Sequence, residues 1–177
     1  AKNCDLILVS DYGHGFISDK VATIFNKSKK FFSLNAQINA SNRGYHSLIK
    51  YKNIDSLIIN ENELRHEMRD KVGNLVKMGT KLIKFLNVNK LTVTRGNNGA
   101  VLIDKKGKSI NSPAFANKVV DKVGAGDAML AGYLYAKEQS LSNQEALRYA
   151  VAAGSCKVFQ EGYPDKIKID QIYNSKF

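Results

Sequence analysis

No apolar run in this sequence approaches the ~20 residues that a membrane-spanning helix needs, and its N-terminal residues lack the pattern of a signal peptide. A cytoplasmic location with no membrane partner is therefore expected. Cysteine is scarce: Cys4 and Cys156 stand far apart and fit no metal spacing, so buried reduced thiols are expected. The histidines, His14, His46 and His66, show no metal-ligand spacing either. Acidic residues are few, 16 against 27 lysines and arginines, which leaves a net charge of +11. An excess of that size can mark a nucleic-acid partner. Here the lysines are scattered, with short groups only at Lys29-Lys30 and Lys105-Lys106, and aromatics do not interleave with them as a stacking platform requires. No nucleic-acid partner is expected, and attraction of phosphorylated small molecules accounts for the charge more simply.

What is present suffices for a core: 44% of the 177 residues are hydrophobic, enough for one domain spanning 1–177. The run from Asp5 to Ser10 is nearly continuous in apolar residues, as expected for a strand buried on both faces of a parallel sheet. It leads into the loop Asp11 to Gly15, at the end of the strand where open α/β sheets place ligands. Asp11 is thus a candidate substrate-side residue, with a plain turn as the competing reading. Ser18 is placed to cap a helix over 19–29. Phe31 to Asn35 reads as a strand, followed by an asparagine-rich segment, 36–44, that contains Asn39, Asn42 and Arg43.

Ser56 to Ile59 is another strand of the buried type, running into Asn60-Glu61-Asn62-Glu63 and a helix over 61–70. Apolar residues from Leu75 to Leu86 recur at helical spacing, with Phe85 counted on the apolar stripe. Lys90 to Thr94 reads as a strand of alternating character, followed by a glycine turn, Arg95 to Gly99, and a second strand, Ala100 to Asp104. Pro113 marks a break before a strand that should end at Asp121. Ser142, with Glu145 three residues on, forms a capping box for a helix reaching Phe159, and the tail 167–177 reads as a short helix or as a lead into a missing segment.

The most informative stretch is Val119 to Leu130. An apolar pair precedes Asp121-Lys122-Val123-Gly124-Ala125-Gly126-Asp127, and a run with helix propensity follows over 128–137. Gly124 and Gly126 allow a sharp turn and close approach of backbone N–H groups to a ligand. At a helix start those donors lack intrahelical partners, and the macrodipole favours anions. Asp127, in the first turn, can cap the helix or act on a ligand.

This stretch resembles the Asp-Thr-x-Gly-Ala-Gly-Asp signature of the ribokinase-like (PfkB) carbohydrate kinases, with Lys122 in place of the threonine. Two further motifs of that family appear in family order. Asn60 and Glu63 match Asn-x-x-Glu, and Thr94, Gly96 and Gly99 match Thr-x-Gly-x-x-Gly. The loop from Asp11 to Gly15 is similar to a segment of the heptose-phosphate kinase branch, with His14 at a lysine position.

The resemblance implies a three-layer α/β fold with a mostly parallel sheet flanked by helices, and transfer of a phosphoryl group from ATP to a sugar or sugar-phosphate hydroxyl. Gly124, Ala125 and Gly126 would supply the anion hole and Asp127 the general base. Thr94, Gly96 and Gly99 would lie under the nucleotide, and Val151 and Gly154 would line its adenine pocket. Asn60 and Glu63 would act on Mg2+ through water, the competing reading being that they merely start their helix. In relatives that use a monovalent cation, the residue at the Asp121 position and its neighbours help hold K+ near the anion hole.

The resemblance covers nearly the whole chain but only the C-terminal half to two thirds of such a kinase. The family's N-terminal strands and sugar-closing lid have no counterpart here. The chain is therefore expected to turn over little sugar alone and to work with a missing N-terminal half, or as a homodimer through exposed apolar surface. A nucleotide-binding or regulatory module without catalysis is the alternative.

Overall fold

The computed structural model of the chain describes residues 4–37, 47–115, 120–121, 123–159 and 162–176. Asn39, Asn42, Arg43, His46, Val119 and Lys122 lie outside the described residues. The described strands form a six-stranded sheet in sequential order. Internal contacts divide the chain into two compact units, Ala1–Val93 with Ile103–Ser109, and Thr94–Leu102 with Ile110–Phe177.

The first unit opens on β1 (Leu6–Asp11), which pairs in parallel with β2 (Phe31–Ala36), and β2 pairs in parallel with β3 (Ser56–Asn60). Each parallel step needs a crossover. α1 (Asp19–Asn26) makes the first, capped by the Ser18 hydroxyl, which accepts from the Val21 N–H at 3.4 Å. The helix stops three residues short of the end expected from sequence.

β1 departs from the reading of a strand buried on both faces. Val9 and Asp11 are buried, whereas Leu6 is 40% and Leu8 49% exposed. The strand ends the sheet order, and among the described residues only one of its faces is covered. A continuous apolar run says that a strand can be buried on both sides, not that something covers both.

β3 passes directly into α2 (Glu61–Glu67), and α3 (Leu75–Leu86) follows. α3 begins at an Asn74 cap and ends on Asn87 in the left-handed region, as expected for a helix C-terminus. Its stripe of Met78, Leu82, Ile83 and Leu86 is buried, but Phe85 is exposed, and the Lys52 ammonium lies 4.0 Å from its ring centroid. β4 (Lys90–Thr94) is buried along its middle on both faces rather than alternately.

In the second unit, β5 (Ala100–Asp104) and β6 (Ser109–Ser112) contribute strand residues, and β6 has no counterpart in the sequence reading. The strand expected to end at Asp121 is not present among the described residues. Val120 and Asp121 instead donate their N–H groups to the Val158 carbonyl, at 2.8 and 3.3 Å. α4 (Ala125–Glu138) packs extensively on α5 (Asn143–Phe159). The Ser142–Glu145 capping box forms as expected, with both reciprocal bonds made. α6 (Lys166–Lys176) docks on α5 through Tyr149, whose hydroxyl donates to Asp170 at 2.7 Å.

Candidate functional site

The turn before α4 begins at Gly124, whose φ of 81° places it in the left-handed region that favours glycine. The chain reverses there and the helix starts at once, with the Ala128 N–H donating to the Gly124 carbonyl at 2.9 Å. α4 therefore begins three residues before the expected start. Ala125, Gly126 and Asp127 form its first turn, so Gly126 is a helical residue and only Gly124 makes the bend. Among the described residues no side chain caps Gly124. A first turn built this way leaves N–H groups without intrahelical acceptors, at the end of the dipole that attracts anions. Asp127 is half-buried in that turn.

α5 supplies the wall beside it. A Cβ on Gly154 would fall 2.4 Å from the Met129 Cγ and 3.3 Å from the Ala125 carbonyl oxygen. Gly154 therefore lets α5 lie against the start of α4, and Val151, one turn earlier, is buried. Lys157 reaches from the same helix, its side chain only 7% exposed. Its ammonium donates to the Asp121 carboxylate at 2.6 Å. The other carboxylate oxygen accepts the Val123 N–H at 2.8 Å. The Lys157 ammonium, aided by that N–H, holds the Asp121 carboxyl below its usual range. The Lys157 Cε lies 3.6 Å from where a Gly124 Cβ would stand. Gly124, Ala125, Gly154, Asp121 and Lys157 are thus neighbours around one helix start, and Lys157 had not been singled out from sequence.

The Thr94–Gly99 turn is tight. The Arg95 N–H donates to the Gly99 carbonyl at 2.8 Å, and Gly99 N–H to Gly96 O at 3.0 Å. A Cβ on Gly99 would lie 2.0 Å from the Ser112 carbonyl oxygen, whereas one on Gly96 would meet nothing among the described residues within 4 Å. Gly99 is required by its own surroundings, and Gly96 faces open space.

In the first unit, Asp11 and Asn60 stand at the C-terminal ends of parallel strands, so both lie on the same edge of the sheet. Asn60 and Glu63 form a complete capping box. The Asn60 Oδ1 accepts from the Glu63 N–H at 2.8 Å, and Glu63 accepts from the Asn60 N–H at 2.6 Å. The helix-starting role is therefore observed. The donor set is all oxygen, an amide and a buried carboxylate held in fixed positions, and suits a hard dication bound through its water shell. Among the described residues no group of three or more His, Cys, Asp or Glu side chains gathers as a metal cluster.

Asp11 is 3% exposed and is held from three sides. Tyr51 donates its hydroxyl at 2.6 Å, the Lys50 ammonium lies at 2.9 Å, and the Gly13 N–H donates at 2.9 Å. Burial pushes the carboxyl up, but the Tyr51, Lys50 and Gly13 donors outweigh it and leave Asp11 below the usual carboxylate range. Burial and then the Asp11 acceptor push Tyr51 far above its usual value. Lys50 and Tyr51 lie about forty residues downstream, and nothing in the local sequence couples them to Asp11.

Residues 5–168 match the pfkB family carbohydrate kinases. The chain belongs to that family. A curated relative, the bifunctional protein HldE of Campylobacter curvus, is 31% identical over 167 residues, which cover 91% of this chain and 34% of the relative. Among solved structures, Arabidopsis thaliana ribokinase complexed with ribose and ATP superposes with a TM-score of 0.79 at 25% identity. That match covers 97% of this chain and 56% of the ribokinase. Phosphofructokinase-2 of Escherichia coli in complex with potassium gives a TM-score of 0.80 at 19% identity, over 96% of this chain and 56% of that one. The ribokinase-like α/β fold expected from the motifs is thereby confirmed. This PfkB chain spans about a third of the length of the curated relatives it matches. No described helix is long and apolar enough to cross a membrane.

Proposed function

We propose that the chain is the nucleotide-binding and catalytic part of an ATP-dependent kinase acting on a sugar or sugar phosphate. The observation that carries the reading is the uncapped, glycine-initiated start of α4 with Asp127 in its first turn. Phosphoryl transfer depends on positioning and on neutralising charge more than on covalent chemistry at the protein. The N–H groups of Gly124, Ala125 and Gly126 stabilise the oxygens of the γ-phosphoryl group. The acceptor hydroxyl oxygen attacks γ-phosphorus, its proton passes to the Asp127 carboxylate, and the bond to the β-phosphate oxygen breaks to release ADP. Asn60 and Glu63, both oxygen donors, would orient the water shell of a Mg2+ ion, which would supply charge neutralisation. The Thr94–Gly99 turn supports the phosphates and ribose, and the surface around Val151 and Gly154 meets the adenine through apolar contact.

Asp11, expected on the substrate side, acts at one remove by fixing Lys50, Tyr51 and the turn that follows it. A second reading, a nucleotide-binding or regulatory module without catalysis, is favoured by Asn60 and Glu63, whose side chains are engaged in their own capping box. The test is ADP release by a protein carrying this chain, with a panel of sugars and sugar phosphates, beside Asp127→Asn. Stimulation of release by one class, lost in Asp127→Asn with ATP binding retained, supports the kinase. ATP binding without stimulation by any acceptor supports the module.

A further inference from the structure

We infer that the Lys157 ammonium stands where a monovalent cation would sit beside the α4 turn, so that this chain handles phosphate without K+. The inference rests on the nucleotide reading above, but the geometry behind it does not. The family resemblance places a K+ ligand at Asp121. One Asp121 oxygen accepts from Lys157 Nζ at 2.6 Å and the other from the Val123 N–H at 2.8 Å.

An ammonium group carries the charge of K+ and is close to it in size. A second cation on the same carboxylate would face it at short range and be repelled. Lys157 is also not a mobile surface tether. Its side chain is almost wholly buried, and its Cε packs at Gly124. The next residue, Val158, accepts the N–H groups of both Val120 and Asp121, which fastens the Asp121 segment to the helix that carries the lysine. Displacing the ammonium in favour of K+ would leave a buried charge without its partner, which is costly. The donor set at Asp121 therefore does not fit a free monovalent cation. The fixed positive charge at this turn is instead part of the chain.

The experiment compares the wild-type chain with Lys157→Met, which keeps the unbranched stem out to the ε position and removes the charged nitrogen. Both are studied in KCl and in tetramethylammonium chloride at a matched ionic strength of about 0.1 M. Thermal melts without nucleotide read cation binding directly, and calorimetric ATP titrations with Mg2+ read its consequence. The wild type is expected to melt at the same temperature in both salts and to bind ATP with affinities within about twofold. Lys157→Met is expected to melt higher in KCl and to bind ATP about tenfold more tightly there than in tetramethylammonium. A wild-type chain that K+ stabilises, or whose ATP affinity rises about tenfold with K+, overturns the inference. So does a folded Lys157→Met variant that is indifferent to K+. Should Lys157→Met fail to fold, the wild-type comparison decides alone. Absence of ATP binding in either salt sinks the nucleotide reading, while the melts still decide the cation question.

Discussion

Removing the Asp11 carboxylate should be among the most damaging single changes outside the apolar core. The side chain is buried, and Asp11→Ala would leave the Tyr51 hydroxyl, the Lys50 ammonium and the Gly13 N–H without their common acceptor. Breaking a buried pair by deleting one partner costs about 3–5 kcal/mol. The stranded Tyr51 hydroxyl accounts for about 1–3 kcal/mol of that. Lys50 moderates the loss, because its ammonium also donates to the Ile17 carbonyl at 2.7 Å and keeps that partner. Against a total stability of about 5–15 kcal/mol for a domain, the change is large.

Urea unfolding followed by circular dichroism measures it as a fall in the midpoint at unchanged slope. A double-mutant cycle with Tyr51→Phe should show coupling of about 0.5–3 kcal/mol, because each variant removes the same hydrogen bond. A loss below about 1 kcal/mol for Asp11→Ala, the range of an exposed pair, would refute the reasoning. It would mean that the cluster does not hold the sheet edge together.

The same carboxylate sets an acid limit. Its folded-state pKa is depressed, so its contribution is present above the unfolded value of about 3.9 and is lost as pH falls through the folded one. Below about pH 4 the stability of the wild type should fall more steeply than that of Asp11→Asn, and parallel acid titrations would contradict this. At the glycine turn, Gly99→Ala forces a methyl group to within 2.0 Å of a backbone oxygen and should cost more than about 3 kcal/mol. Gly96→Ala meets open space and should cost only the left-handed backbone term, about 1–2 kcal/mol, so equal melting temperatures for the two variants would contradict this account of the turn.

Local signals were the legible ones. Ser18, Ser142 and Asn60 announce their helices because a cap is a matter of three or four consecutive residues, and each was found where its side chain predicts. The three family motifs likewise carry their order and spacing in the chain. What failed was set by partners distant in sequence. The apolar run of β1 could not reveal that its Leu6 and Leu8 face remains open. The strand expected before Asp121 lies mostly outside the described residues, and its last two residues, Val120 and Asp121, bond to the last turn of α5. Gly126 read as part of the bend, yet Gly124 alone makes it, and the helix absorbs the rest.

Lys157 left one mark that could have been used. It is a single charge within the small and apolar run from Val151 to Phe159, and a lysine buried in such a helix must find an anion. Lys50 and Tyr51 left none, because their link to Asp11 exists only once β1 and the segment before β3 have folded together.

The central claim is that the start of α4 binds the phosphates of ATP, and a calorimetric titration with Mg2+ tests it most directly. The wild-type chain should bind saturably, Asp127→Ala should bind with similar affinity, and Gly126→Val, which sets a branched side chain on the first turn, should lose binding while remaining folded. Absence of binding by the folded wild-type chain, or undiminished binding by Gly126→Val, would contradict the claim.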